Sequence, residues 1–262
     1  MNLSVSNIAW TAQQDVRVYE IMKENGFSGL EIAPTRIFPE QPYEHREAAA
    51  GWARELKARH GLRIVSMQSI WYGVQERIFG TDSERRYLVD YTRKAVDFAE
   101  AVGCPNLVFG CPRNRCVPEG AGEETALDFF RELADYAALQ HTVIAIEANP
   151  PIYNTNYINT TPQAMELAER IASPGFKVNL DIGTILENQE PLSVIEGKLD
   201  RISHIHISEP GLKMIRRRPL HRELAALLRR ENYQGYVSVE MGKTESAADI
   251  EETCVYIKEV FG

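Results

Sequence analysis

The sequence predicts a single (β/α)8 barrel spanning residues 1–262. Three observations point there. Eight strand-like runs alternate with eight helix-like runs, a count and a chain length that match the eight-fold parallel barrel. Polar or ionisable residues recur at the C-terminal ends of the strand runs, where such barrels carry their chemistry. No Gly-x-Gly-x-x-Gly follows the first strand, so the alternative, a doubly wound dinucleotide fold, lacks its signature.

The first strand is expected over Leu3–Trp10, followed by a helix over Gln13–Asn25 that Gly26 stops. Gly29–Ala33 is the second strand. The helix His45–His60 carries an apolar stripe of Ala49, Trp52, Ala53 and Leu56 and ends at Gly61. Strand three, Leu62–Gln68, leads to the helix Glu84–Val102 and Gly103. Strand four is Asn106–Gly110, with its helix at Glu123–Gln140. Strand five is Thr142–Ala148, and the next helix runs Pro162–Ile171, proline being tolerated in a first turn. Phe176–Ile182 and a short helix Pro191–Leu199 form the sixth unit. Strand seven, Ile202–Ser208, precedes the helix Pro219–Glu231; strand eight, Tyr236–Met241, precedes Ala247–Val260. No Pro-, Gly- or Ser-rich linker divides the chain.

Hydrophobic residues make up 44% and charged residues 25%, an ordinary soluble balance. The net charge of -8 argues against nonspecific binding to nucleic acid or an anionic membrane. The start lacks the basic and apolar runs of a signal peptide, and no 18-residue apolar segment occurs, so a cytoplasmic location is expected. Cys111 and Cys116 share a C-x4-C spacing without a second close pair; free structural thiols are expected at all four cysteines.

The informative residues stand at strand ends. Glu147, Asp181, His206 and Glu240 close four consecutive strands at intervals of 34, 25 and 34 residues, one strand–helix unit each. Buried carboxylates repel one another and resist desolvation, costs that a divalent cation relieves. Mixed oxygen and nitrogen ligation suits manganese, cobalt, zinc or magnesium. Each residue also has an ordinary reading: a salt bridge for Glu147 or Glu240, a turn cap for Asp181, a satisfied core imidazole for His206. Their placement on successive strand ends favours the shared site. Glu31 and Gln68 end strands two and three and are expected near the same mouth.

Four stretches carry a resemblance: IEANP around Glu147, NLDIGT around Asp181, HIHISE from His204 to Glu209, and VSVEM around Glu240. Across nearly its whole length the chain resembles the xylose isomerase-like TIM barrel superfamily, and within it the sugar (or sugar phosphate) isomerase and epimerase group. The resemblance implies one divalent metal ion, Mn2+ favoured with Co2+, Zn2+ or Mg2+ as alternatives, held by Glu147, Asp181, His206 and Glu240. It also implies an acid/base pair, Glu147 and Glu240. Departures are visible. Thr184 stands where the family often has a histidine, Leu212 where the epimerases have a substrate-contacting arginine, and Tyr153 where they have a second glutamate. Thr184 and the shortage of histidines also depart from the three-zinc apurinic endonucleases of the superfamily.

The chemistry that follows is proton transfer beside a carbonyl, with the cation stabilising a developing enediolate. Return of the proton gives an isomer or epimer; loss of a β-hydroxyl would make the protein a dehydratase acting on a keto-sugar or keto-inositol. A noncatalytic, metal-dependent sugar-binding protein is the alternative from another class. Expected substrate contacts are Trp10, Glu31, Gln68, Trp71, Arg113, Arg115, His204 and Glu209, with a basic lid over Lys213–Pro219 also considered. For Trp71 a structural anchor, and for the two arginines ordinary loop salt bridges, are the competing readings. The expected partner is a small carbohydrate or sugar-derived substrate, and a homodimer or homotetramer is expected only on general grounds.

Overall fold

The structure, a computed structural model, describes residues 1–262. Eight parallel strands close into one barrel in sequence order: β1 (Asn2–Ser6), β2 (Gly29–Ile32), β3 (Arg63–Met67), β4 (Asn106–Phe109), β5 (Val143–Glu147), β6 (Phe176–Asp181), β7 (Ile202–Ile207) and β8 (Tyr236–Val239). β8 pairs back onto β1, Leu3 opposite Val237, so the sheet has no free edge. The helices are α1 (Asp15–Glu24), α2 (Pro34–Ile37), α3 (Arg46–His60), α4 (Asp82–Val102), α5 (Glu124–Leu139), α6 (Thr161–Ile171), α7 (Ile182–Glu187), α8 (Pro219–Arg230) and α9 (Ala247–Phe261).

Local chemistry sets the helix ends. Thr81 and Glu84 form a reciprocal capping box at the start of α4, as do Thr160 and Gln163 at α6. Gly61 and Gly103 close α3 and α4 at φ 72° and 70°, a region that costs other residues a clash at Cβ. No helix is long and apolar enough to cross a membrane.

Two expectations need correction. The first strand stops at Ser6, and a 3-10 turn over Asn7–Ala9 carries Trp10 away from the strand end. Helix six does not occupy Pro191–Leu199. Asp181 instead caps a helix directly, its Oδ2 accepting from Thr184 N at 2.7 Å, so α7 begins one residue after β6. Residues 191–201 hold only short 3-10 turns.

The inside of the barrel is unusually polar. Ser4, Ser6, Glu31, Ser66, Asn179 and His204 are all buried there or at its rim, in place of the branched aliphatic layers that commonly fill such barrels. The apolar core lies in the layer between sheet and helices, through residues such as Val5, Leu30, Phe98, Phe130 and Ile257. Parallel register aligns the polar face: Glu147 lies opposite Asn179, Asp181 opposite His206, and His206 opposite Ser238. Steps of two residues between neighbours keep these side chains on the same surface.

Close packing between α5 and the entry to β6 permits no side chain at Gly175, where a Cβ would collide with the Ala134 carbonyl and lie 2.8 Å from the Ala138 nitrogen. Gly175→Ala is therefore expected to destabilise the fold by roughly 1–3 kcal/mol. A denaturant midpoint unchanged from wild type would contradict that packing.

Candidate metal centre and active site

The C-terminal ends of β5, β6, β7 and β8 bring Glu147, Asp181, His206 and Glu240 together. Each offers one ligand-type atom, and these atoms all lie within 4.8 Å of one another. Four of the expected residues thus converge in space.

His206 sits at the centre and is fully buried. Its Nε2 lies 2.9 Å from Glu31 Oε2, while its Nδ1 lies 3.1 Å from Glu147 Oε2 and 3.2 Å from Glu240 Oε2. A neutral imidazole has one N–H and one lone pair. With the proton on Nε2 facing Glu31, the Nδ1 lone pair faces two carboxylate oxygens and one amide donor, Asn179 Nδ2 at 3.2 Å, so positive charge is needed to offset the repulsion that the amide leaves. The metal-free protein supplies that charge by protonating the ring. Burial alone would lower the His206 pKa, but Glu240 and Glu31 outweigh it and raise the pKa well above the ordinary value. A divalent cation would supply the same charge and take the Nδ1 lone pair as a ligand. The residues therefore fit one divalent metal ion, with Glu31 orienting the histidine from behind.

Asp181 and Glu240 show the same shortage of positive charge. Burial, then Glu147 and Glu240, pushes Asp181 from 3.8 to about 7. Burial also raises Glu240, against the pull of His206. Glu31 behaves oppositely: burial opposes its ionisation, yet His206 and His204 hold it well below the usual carboxylate range. Asp181 Oδ1 accepts from Ser208 Oγ, and its Oδ2 is also 2.8 Å from Thr184 Oγ1. The turn cap and the shared cluster thus coexist in one residue. Thr184, in place of the family's frequent histidine, braces the aspartate.

The sequence reading missed the amides. Asn179 Nδ2 donates to Glu147 Oε2 at 2.7 Å, and Asn149 Nδ2 donates to Glu147 Oε1 at 2.9 Å. A usable signal existed for Asn179, because two residues before Asp181 on a strand means the same face. Gln68 meets the expectation of a residue at the mouth: its Nε2 lies 2.9 Å from Glu240 Oε1, 2.9 Å from Ser6 Oγ and 3.2 Å from Glu31 Oε1. Two amide protons serve three acceptors, so Gln68 ties Glu240 at the pocket to Glu31 beneath it.

Above the cluster lies a pocket of about 190 Å³, lined by Gln68, Tyr153, Glu209 and Leu212 as well as by Glu147, Asp181 and Glu240. Several expected substrate contacts lie elsewhere. Arg115 is fully buried; its Nη1 donates to the Glu147 carbonyl at 2.8 Å and its Nη2 to Asn149 Oδ1 at 2.8 Å, so it braces the site from behind. Burial lowers its pKa to about 10. Trp71 is an anchor, donating to Thr92 Oγ1 at 2.8 Å and packing edge-on against Phe109. Trp10 donates to Asp15 at 2.7 Å beneath a neighbouring cleft. Arg113 is exposed and lies outside the pocket lining. Glu31 and His204 lie below the pocket, His204 Nε2 being 3.2 Å from Glu31 Oε2, and burial lowers the His204 pKa. Glu209 reaches the pocket but is paired with Arg218, whose Nε donates at 2.7 Å. Arg217 pairs with Glu259 and Arg218 with Glu209, so two of the four cations of the basic stretch spend their charge on the chain itself.

The family model for xylose isomerase-like TIM barrels matches residues 19–260, and the chain belongs to that family. Solved structures with the same fold include a 3-keto-D-glucoside 4-epimerase from E. coli, 19% identical over 99% of both chains with a TM-score of 0.74. A D-psicose 3-epimerase from Clostridium cellulolyticum H10, crystallised with D-tagatose, is 15% identical over 100% of this chain and 99% of its own, with a TM-score of 0.76. A family 2 AP endonuclease from Brucella melitensis is 21% identical over 96% of both chains, with a TM-score of 0.72. Among curated proteins, none matches this sequence.

Two outcomes follow from the charge balance. Asp181 is raised from 3.8 to about 7, so in metal-free protein its contribution to stability is lost as pH climbs through that window; a raised Glu240 acts in the same direction. Stabilisation by added Mn2+ should grow over the same range, since its ligands must lose protons. Melting curves with Mn2+ and with EDTA, from pH 4.5 to 7.5, read this directly, and a pH-independent difference would contradict it. Glu31→Gln removes the negative charge behind His206 and is expected to weaken Mn2+ binding by about 10–100-fold in a titration of the folded variant.

Proposed function

We propose that the protein is a divalent-metal-dependent isomerase or epimerase acting on a sugar or modified keto-sugar, with manganese the favoured metal and the cytoplasm the expected location. The carrying observation is the convergence of Glu147, Asp181, His206 and Glu240, with both glutamates flanking His206 Nδ1 at the floor of a small pocket. A cation held there supplies positive charge for an oxygen that becomes enediolate-like. The remaining work belongs to the chain. Asn149 and Asn179 aim Glu147, and Gln68 aims Glu240. One glutamate removes a proton from the carbon beside the carbonyl and the other returns it. Return to the opposite face inverts that carbon; return to its neighbour moves the carbonyl.

The E. coli and Clostridium relatives, both epimerases of sugar substrates, support this reading. No basic side chain lines the pocket, so apart from a bound cation it offers a nucleic-acid phosphate no positive partner, while its polar groups suit neutral hydroxyls. Tyr153 supports a second reading, loss of water from a keto-sugar. Its hydroxyl accepts from Gly211 N at 2.9 Å, which leaves its proton free for a departing hydroxyl, and burial keeps the phenol protonated.

Incubating the Mn2+-loaded protein with a panel of ketoses in deuterated water tests both readings. Deuterium at carbon with reversible rearrangement is expected; an unsaturated product would select the dehydratase. Glu147→Gln and Glu240→Gln should each slow a confirmed exchange by about 10²–10⁴-fold. Undiminished exchange in both variants would remove the pair from the reaction.

A further inference from the structure

The mouth of the barrel is divided into two chemically opposite halves. The reactive pocket, over the ends of β3 to β8, presents four carboxylates: Glu147, Asp181, Glu209 and Glu240. A second cleft of about 690 Å³ covers the ends of β1 and β2 and meets the first at Ser69, which lines both. Its lining contains no carboxylate. It offers Tyr72, 72% exposed, together with Lys243 and the polar side chains of Thr11 and Gln13. The two clefts also adjoin at β8, because Lys243 follows the Glu240 strand end by three residues and Gly242 N donates to the Leu212 carbonyl at 2.7 Å.

Ser69 is the ridge between them. It holds a left-handed φ of 53°, uncommon for a residue with a side chain, and donates to Gln68 Oε1 at 3.0 Å. Tyr72 N donates to the Ser69 carbonyl at 2.9 Å, so a single tight turn carries the ridge, the exposed ring and the glutamine that aims Glu240. The charge of the second cleft is small. Arg36 is occupied by Asp15 and lies over the Trp10 ring, 5.5 Å from its centroid, leaving Lys243 as the cation without an acidic partner. A phosphate dianion would meet one flexible ammonium there. A neutral ring would meet an exposed aromatic face with hydroxyl and amide groups beside it, the mixture of apolar wall and sparse polar anchors that holds small molecules.

We propose that this cleft is a distal subsite for a second, uncharged ring, so that the substrate is a glycosylated keto-sugar rather than a free monosaccharide or a sugar phosphate. The reacting sugar occupies the 190 Å³ pocket, too small for two rings by the usual range of ligand cavities, and its substituent crosses Ser69 to Tyr72. The inference rests on the keto-sugar reading above and names the substrate class for the same site.

Calorimetric titration of the Mn2+-loaded protein tests it with D-fructose, D-fructose 6-phosphate and the glucosyl-fructoses linked at O3, O5 and O6 (turanose, leucrose and isomaltulose). At least one disaccharide is expected to bind about tenfold or more tighter than fructose, with the phosphate gaining less. In Tyr72→Ala that ratio should fall to about one. Equal binding of all probes, no saturable binding, a phosphate that binds tightest, or an advantage that survives Tyr72→Ala would overturn the subsite. Carbon-bound deuterium exchange separates the two ideas. Exchange on fructose with no disaccharide advantage rejects the subsite and keeps the chemistry; a Tyr72-dependent advantage without exchange does the reverse.

Discussion

One buried imidazole surrounded by carboxylates is the constraint on which the site turns. Glu31, Glu147 and Glu240 all contact His206, and Asp181 completes the cluster a few ångströms away. Such a density of negative charge is costly in a low-dielectric interior unless positive charge sits among it. His206 provides it when protonated; a divalent cation would provide more and be held by the same atoms. The displaced ionisation of Asp181, Glu240 and Glu31 expresses that single imbalance, in directions set by which partner each faces.

The barrel makes this arrangement rigid. Parallel register places the cluster residues on one inward surface, and the polar interior beneath them holds Glu31 and His204 where a common barrel would carry aliphatic layers. Loops finish the frame. Arg115 grips the Glu147 carbonyl from inside the protein, and Arg218 secures Glu209 at the pocket rim. Arg115 resembles a substrate contact in the sequence, yet both arginines spend hydrogen bonds on the chain itself. Their value is in fixing the distances within the cluster and at the pocket rim.

Charge also divides the mouth. Acidic residues gather over β5 to β8, while Lys243, Tyr72 and neutral polar groups gather over β1 and β2. The departures at Thr184, Leu212 and Tyr153 fall around the reactive half. Thr184 braces Asp181, Leu212 gives the wall an apolar patch, and Tyr153 ties down Gly211.

The strand–helix alternation, the barrel and the four cluster residues were legible in the sequence because each rests on local spacing. A strand exposes alternate residues, so His204 and His206 declare one face, and a polar residue at a strand end declares the barrel mouth. The helix after β6 was misplaced because Asp181 starts it at once, a capping choice that the downstream Pro191 signal masked. The roles of Arg115, Trp71 and Glu31 needed the folded chain. Their partners lie 32, 21 and 175 residues away, and no local pattern encodes which distant acceptor a buried donor will reach. Sequence alone determined which side chains face inward, since that depends on backbone periodicity. Only the tertiary structure decided which of them meet, since that depends on register and loop closure across the whole barrel.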